Sequence, residues 1–355
     1  MAMARRGSPA IRPVFVSMSQ AVPVVGKEGF PWEYVPSRES LGVGVRRWNL
    51  RMTARFTEIL RRERPAALVF DGTYPYDAVL AAADAVPETR LVWSRRGLWR
   101  AGGEGDQLAR SSRFDLIIEP GDFAEEEDRG ATAGRTDALR VGPITLLDEG
   151  ELLPREQATA ALGVDPDRPV ALITLGADNR GNLHGALELF VHRLLREPEL
   201  QVVLTRPVIA TRLEAVSEQV HCVSVYPIAR YARAVDFAVS AVGYNSFHEF
   251  VRLAVPTVFV ANPDVPLDDQ PARSRWAARV GAALDLTEAT EEAVDRAVTV
   301  LLDPGQRARL GARCRELDRP NGGFEAIAAI ERLVSGTAAT QDGATSMTVR
   351  NGATS

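Results

Sequence analysis

The chain has 355 residues, 45% of them hydrophobic and 25% charged, with a formal net charge of −5 at pH 7. That length suits two ordinary α/β domains, and the slight acidity gives no reason to propose nucleic acid as a partner. No apolar run approaches the ~20 residues that span a bilayer, and the two cysteines, Cys222 and Cys314, supply neither a disulfide framework nor metal-ligand spacing.

In chain order, Met1 to Arg6 reads as the tail of a helix that Gly7-Ser8-Pro9 ends. Arg5-Arg6 is not a twin-arginine signal, because Pro9, Arg12 and Pro13 deny it an apolar core. Apolar runs predict strands over Arg12 to Met18, Phe30 to Val35, Ala66 to Phe70, Arg90 to Ser94 and Phe114 to Ile118. Helices are expected over Ser19 to Gly29, Arg46 to Arg64 and Tyr76 to Val86. Strands alternating with helices imply a parallel sheet with right-handed crossovers. The acidic run Glu125 to Asp128 reads as a solvated face or loop. His184, His192, His221 and His248 are scattered and read as surface residues. A cytoplasmic, metal-free protein is the expectation.

Periodicity lapses around Val141-Gly142-Pro143-Ile144, which sets a boundary: residues 1–142 form one Rossmann-like domain and 143–334 a second. In the second, strands are expected over Val170 to Leu175, Gln201 to Leu204 and Val220 to Val223, with a helix over Leu183 to Arg196. Helices over Glu291 to Leu302, Gly305 to Arg313 and Gly323 to Val334 follow. Asp165-Pro166-Asp167 precedes a strand and reads as a turn rather than a metal motif. Residues 335–355, rich in Gly, Ala, Thr and Ser, lack apolar residues to bury and are expected to be disordered.

The densest pattern lies between Val239 and Gln270. A buried strand over Phe237 to Ser240 leads to Gly243, a helix with apolar Phe247, Phe250, Val251 and Ala254 follows, and a second strand ending in Asn262-Pro263 leads to a helix starting near Asp268-Asp269. This arrangement can aim two helix N-termini into one crevice at the C-terminal edge of a parallel sheet. Orphan N–H groups and the helix dipole there suit a phosphate. A capping box at Ser246 and Glu249, and an N-cap at Asp268 or Asp269, are the plainer alternatives.

Gly243-Tyr244-Asn245-Ser246, Glu249, Ala254-Val255-Pro256 and Asp269-Gln270 resemble the donor-binding signature of GT-B glycosyltransferases that use UDP-sugars, whose pattern is G-W-N-S-x-x-E-x-x-x-x-G-V-P and later D-Q. The surroundings look closest to the bacterial branch containing the muramyl-pathway N-acetylglucosaminyltransferase. The resemblance implies that Glu249 holds the ribose, Gly243 to Ser246 the diphosphate, and Asp269 with Gln270 the donor sugar. The turn Gly176 to Asn182 sits where the family keeps a Gly-rich loop facing the diphosphate, a plain strand-to-helix turn being an equal reading, and Arg180 could compensate for missing cations. Tyr226-Pro227-Ile228 aligns with the family segment whose backbone meets the uracil, where simple turn chemistry also explains Pro227. Two departures stand out. Ala241 occupies the place of a phosphate-binding histidine found in plant members, and the interdomain segment at Gly142-Pro143-Ile144 lacks the family's diphosphate arginine.

The expected reaction is metal-independent, inverting transfer of a hexosyl or N-acetylhexosaminyl group, with no cofactor beyond the donor. Residues at strand C-termini face such a cleft, which makes Asp71 the first candidate base and Glu119 the second. Either could merely cap the helix that follows. Arg95 and Arg96 could bind an acidic acceptor or close the cleft. The family's first strand and Gly-rich loop have no counterpart, so the N-terminal sheet is expected to be incomplete, the unit coming from upstream or from another chain. The helix Arg46 to Arg64 could rest on an anionic membrane bearing a lipid-linked acceptor, or simply pack on the core. The rival readings are a non-catalytic sugar-nucleotide-binding subunit and a UDP-sugar epimerase on a similar scaffold.

Overall fold

The computed structural model describes residues 1–103, 105–175, 182–206 and 217–345. Its first half contains β1 (Phe15–Ser17), α1 (Pro23–Lys27), β2 (Trp32–Tyr34), α2 (Arg38–Leu41), α3 (Val45–Glu63), β3 (Ala67–Asp71), α4 (Asp77–Asp84), β4 (Arg90–Ser94), β5 (Leu116–Pro120) and β6 (Leu139–Val141). The second contains α5 (Arg155–Leu162), β7 (Val170–Thr174), α6 (Asn182–Leu194), β8 (Gln201–Thr205), β9 (Val220–Val223), β10 (Phe237–Ala241), α7 (Tyr244–Arg252), β11 (Thr257–Val260), α8 (Gln270–Arg279), β12 (Leu284–Leu286), α9 (Glu291–Leu302), α10 (Pro304–Leu317) and α11 (Gly323–Thr345).

The second half forms a six-stranded sheet of order β12-β11-β10-β7-β8-β9, parallel throughout. Both faces are covered, so its strands need no polar side. Ala171, Ile173, Phe237, Val239, Val258 and Val260 pack on one face, and Val170, Leu172, Ala238 and Phe259 on the other. β7 and β10 are central, and the order reverses between them, which puts the mouth of the crevice at the end of β10 where α7 begins.

The first half is divided. β3-β4-β5-β6 form a parallel four-stranded sheet, and β1-β2 form a separate parallel pair. Among the described residues, β1 and β3 therefore each pair on one side only. The exposure follows: Val16 on β1 is 38% exposed and Val69 on β3 is 36%, whereas Val92 and Trp93 of β4 are fully buried.

Several expectations change in detail. The strand over 12–18 shortens to three residues and the helix over 19–29 to Pro23–Lys27, because Pro23 starts a helix readily and Gly29, at φ +84°, ends it. The boundary near residue 142 marks the first crossing between halves, but the chain crosses back. Ala326, Ile327 and Ile330 of α11 pack against Val92, Ile118 and Val141, so this helix covers the first sheet although the sequence groups it with the second domain. The two crossings meet at Gly142 and Gly322, where a Cβ on Gly322 would lie 2.0 Å from the Gly142 carbonyl oxygen. α11 also extends to Thr345, into the stretch whose composition predicts disorder, where Ala338 and Ala339 favour helix.

α3 spends its apolar face inward, with Trp48, Met52, Ile59 and Leu60 buried and Phe56 packed against them. These side chains are not free to enter a membrane. No described helix is long and apolar enough to cross one.

Ala254, at the place of the family's glycine, has φ +52°. A Cβ is costly there, while glycine adopts the conformation freely. Ala254→Gly is expected to raise stability by roughly 0.5–1 kcal/mol after the added freedom of the unfolded chain is counted. Chemical denaturation of both proteins checks it, and no gain would show that the backbone relaxes instead.

Candidate active site

A cavity of about 460 Å³ lies between the halves. The first half contributes Asp71, Ser94, Arg96 and the segment Met1 to Met3; the second contributes Tyr226, Ile228, Tyr244, Asn245, Ser246 and Glu249, with Thr205 and Arg206 at the end of β8. Asp71 is the last residue of β3 and accepts a 3.3 Å hydrogen bond from Ser94 Oγ. Strand ends thus bring Asp71 and the first turn of α7 to one hollow.

The turn is built by Gly243. It is the N-cap of α7, extended at φ −62° and ψ 155°, with no side-chain capping bond and open space where a Cβ would sit. The helix starts at Tyr244, so Ser246 lies inside the first turn and the capping box read from Ser246 and Glu249 does not form. An uncapped N-terminus leaves N–H groups and the positive dipole end available to an anion. Glu249, in the second turn, borders the cavity. Burial pushes its carboxyl up to about 7, against a hydrogen bond from the Leu146 backbone that favours the charged form.

Asp269 and Gln270 behave differently. Asp269 N-caps α8, accepting 3.0 Å from Ala272 N–H, and Gln270 is buried, with Oε1 accepting 3.2 Å from Asn262 N–H. Neither borders the cavity. Their loop is docked onto the first half: Trp99 bridges Asp268, Arg100 N–H donates to Leu267 O at 2.8 Å, and Asp269 N–H donates to Leu98 O at 3.0 Å. The capping reading of Asp269 therefore accounts for what its side chain does here.

Glu119 also leaves the candidate set. It is 7% exposed and paired with Arg95 at 3.1 Å and Arg140 at 3.2 Å, away from the cavity wall. Burial raises its carboxyl, with Arg95 opposing. Arg95 is fully buried and also held by Asp137 at 3.0 Å, so it reaches neither acceptor nor cleft. Gly176 and Arg180 lie outside the described residues.

The structure adds an interdomain lock that the sequence did not suggest. Asp122, following β5, accepts from Arg273 of α8 through Nε at 3.0 Å and Nη2 at 2.9 Å. Arg273 Nη1 donates to the carbonyl of Val242 at 3.0 Å and Nη2 to Asp268 at 2.8 Å. Burial would raise the Asp122 carboxyl, but Arg273, with His248 behind it, more than reverses this and holds it well below the usual range. His248 is fully buried and not a surface residue: Nε2 accepts from Phe123 N–H at 3.3 Å, and Nδ1 is 2.6 Å from Tyr244 O. The Tyr244 hydroxyl donates to Gly121 O at 2.9 Å and accepts from Ile144 N–H at 3.1 Å.

The acidic run is a solvated face, as expected, with Glu125 and Glu126 exposed, and it also lies along the interface. Glu126 accepts from Trp276 Nε1 at 2.7 Å and pairs with Arg279, which also reaches Glu127; Arg319 reaches Glu125 at 2.9 Å. Leu98, Phe123 and Ala124 are buried in the same apolar cluster as Phe247 and Trp276. The partners lie more than a hundred residues away, on α8 and just after α10, so no local pattern could reveal them.

No family model matches the chain. Among curated proteins it is 29% identical over 180 residues to the UDP-N-acetylglucosamine–N-acetylmuramyl-(pentapeptide) pyrophosphoryl-undecaprenol N-acetylglucosamine transferase of Salinibacter ruber, a match spanning 47% of each chain. The like-named Listeria welshimeri protein is 21% identical over 328 residues, 86% of each chain. Among solved structures, Acinetobacter baumannii MurG superposes with a TM-score of 0.58 at 15% identity, over 89% of this chain and 90% of that one. A Listeria monocytogenes protein assigned as a UDP-N-acetylglucosamine 2-epimerase superposes with a TM-score of 0.62 at 14% identity, over 91% and 88%. The chain thus has the two-domain GT-B fold, and in sequence it is similar to UDP-N-acetylglucosamine transferases of the MurG type.

Proposed function

We propose that the chain is a UDP-sugar-dependent glycosyltransferase, with UDP-N-acetylglucosamine the first donor to test and a small-molecule or lipid-linked hydroxyl as acceptor. The observation that carries this reading is the pairing, in one interdomain cavity, of Tyr244 to Ser246 in the first turn of α7, whose N-cap Gly243 makes no side-chain cap, with Glu249 one helical turn further on. A carboxylate there can accept from both hydroxyls of a ribose, while the helix N-terminus takes the diphosphate. Tyr226 and Ile228 border the same hollow, at the place the resemblance gives to the base. Asp71 would take the acceptor proton as the acceptor oxygen attacks the anomeric carbon and the nucleoside diphosphate leaves.

The epimerase reading is the one rival with an observation behind it, since the fold superposes equally well on an enzyme of that kind. Sequence likeness favours transfer, because the curated relatives with detectable identity are named as transferases. A thermal-shift screen against UDP and UDP-sugars tests the shared premise. Product analysis with donor alone then separates the two: free UDP and an epimerised sugar without acceptor would favour the epimerase.

Glu249 gives the reading a pH signature. Its carboxyl, raised to about 7 by burial, is uncharged in acid and then offers fewer acceptors to a diol. Affinity for uridine, which carries no phosphate, is expected to rise from pH 6 to 8 with a midpoint near 7, and Glu249→Gln should flatten that rise. The raised carboxyl also means that stability falls as pH climbs from the unfolded value of about 4.3 towards 7. Glu249→Gln should therefore be more stable than the wild type at pH 8 but not at pH 4. Calorimetric titration with uridine at each pH checks the first part; a flat wild-type profile removes Glu249 from the ribose role.

The further strand expected between β1 and β3 belongs to the same proposal, supported by the unpaired edges and by exposed Val16 and Val69.

A further inference from the structure

The departing diphosphate needs counter-charge, and two cations associated with this site in relatives are replaced here, by Ala241 and by the Gly142-Pro143-Ile144 segment. Among the described residues that border the cavity, the arginines are Arg96 and Arg206. Arg96 is the one that touches the first turn of α7. Its guanidinium carbon lies 4.7 Å from the centre of the Tyr244 ring, and Nη2 is 3.5 Å from Asn245 Oδ1.

Arg96 and its neighbour Arg95 follow directly on β4, and successive side chains on extended backbone point to opposite sides. Arg95 turns into the domain, where Glu119, Asp137 and Ser111 occupy it. Arg96 turns into the cleft with most of its donors free for a ligand. Arg273 also approaches Tyr244, at 6.0 Å, but is buried and occupied by Asp122, Asp268 and the Val242 carbonyl. Tyr244 stands where the family pattern has tryptophan. Its hydroxyl is fixed by Gly121 and Ile144, so its ring is a rigid platform for Arg96.

We propose that Arg96 is the cation that binds the donor's diphosphate and neutralises it as it leaves. The inference rests on the UDP-sugar reading and adds to it that the counter-charge comes from the opposite domain. When the bond from the anomeric carbon to the β-phosphate oxygen breaks, its electron pair goes to that oxygen, and an Arg96 N–H donates to it. The acceptor oxygen forms the new bond to carbon and its proton passes to Asp71. Leaving-group stabilisation then requires both domains to be docked, which the Asp122–Arg273 lock secures.

Calorimetric titration of wild type, Arg96→Met and Arg96→Lys with UDP and with uridine tests this. Arg96→Met is expected to weaken UDP binding roughly ten- to a hundredfold, the range of one or two charge-assisted hydrogen bonds, and to leave uridine binding unchanged. Arg96→Lys should fall between them, since it keeps the charge and loses the planar stack. The salt dependence of UDP binding should shrink in Arg96→Met. An unchanged ratio of UDP to uridine affinity in Arg96→Met overturns the proposal while leaving the UDP reading intact. Parallel loss of both ligands overturns it too, and assigns Arg96 to the packing of α7. A wild type that binds neither nucleotide overturns the UDP-sugar reading and this inference together.

Discussion

Replacing Arg273 with leucine is expected to destabilise the protein by about 3–5 kcal/mol, the usual cost of removing one partner from a buried ion pair. Asp122 would then be left without its cation in a site where its side chain is only 5% exposed, with His248 as its remaining neighbour. The Val242 carbonyl, one residue before Gly243, would lose its donor as well. A second substitution separates charge from packing. Asp122→Leu combined with Arg273→Leu removes the stranded carboxylate and should recover about 1–3 kcal/mol of the loss. The single variant should also become easier to cleave between the domains, because the lock ties α8 to the segment after β5. Urea denaturation of the two singles and the double measures the coupling; a single-variant loss below about 1 kcal/mol would mean that the apolar cluster around Phe123 holds the domains without help.

The pH dependence of that lock has a definite sign. Asp122 is held well below its usual range in the folded protein, so its contribution is fully present above the unfolded value of about 3.9 and is lost as pH falls below it. Acid should therefore loosen the domains in the wild type. In Arg273→Leu that contribution is already gone, and the acid limb of the stability profile should flatten.

Asp71→Asn is expected to cut turnover by about 10²–10⁴-fold, the range attributed to a positioned general base. The amide keeps the size of the side chain and its bond to Ser94, but cannot take a proton. UDP affinity should not fall, because the Asp71 carboxylate has no donor to offer a diphosphate. The split between turnover and affinity separates a base from a binding residue. Steady-state kinetics with a transferring acceptor, paired with calorimetry for UDP, reads both. Normal turnover removes Asp71 from the base role, and a parallel fall in UDP affinity would place it on the donor instead.

Local pattern carried far more of the fold than of the site. Apolar runs of four to six residues locate β4, β7 and β10 almost to the residue, because a strand buried on both faces leaves a continuous apolar signal. The three-residue strands β6 and β12 lack that signal and were missed. Gly243, Ser246 and Glu249 could be singled out because one turn and one helix fix their spacing. Asp269 and Gln270 carried an equally good pattern, yet their side chains serve a cap and the Asn262 backbone. Their motif gives the position of the loop along the chain but not the partner it docks against.

The sequence by itself determined the alternation of strands and helices, the crossing near residue 142 and the turn at Gly243, all of which depend on residues close together in the chain. Only the tertiary structure decided that α11 returns to the first sheet, that Glu119 is paired with Arg95, that the acidic run clamps α8, and that Arg96 stands over Tyr244. Each of those joins residues far apart in the chain, and which surfaces meet is settled only once the chain has folded.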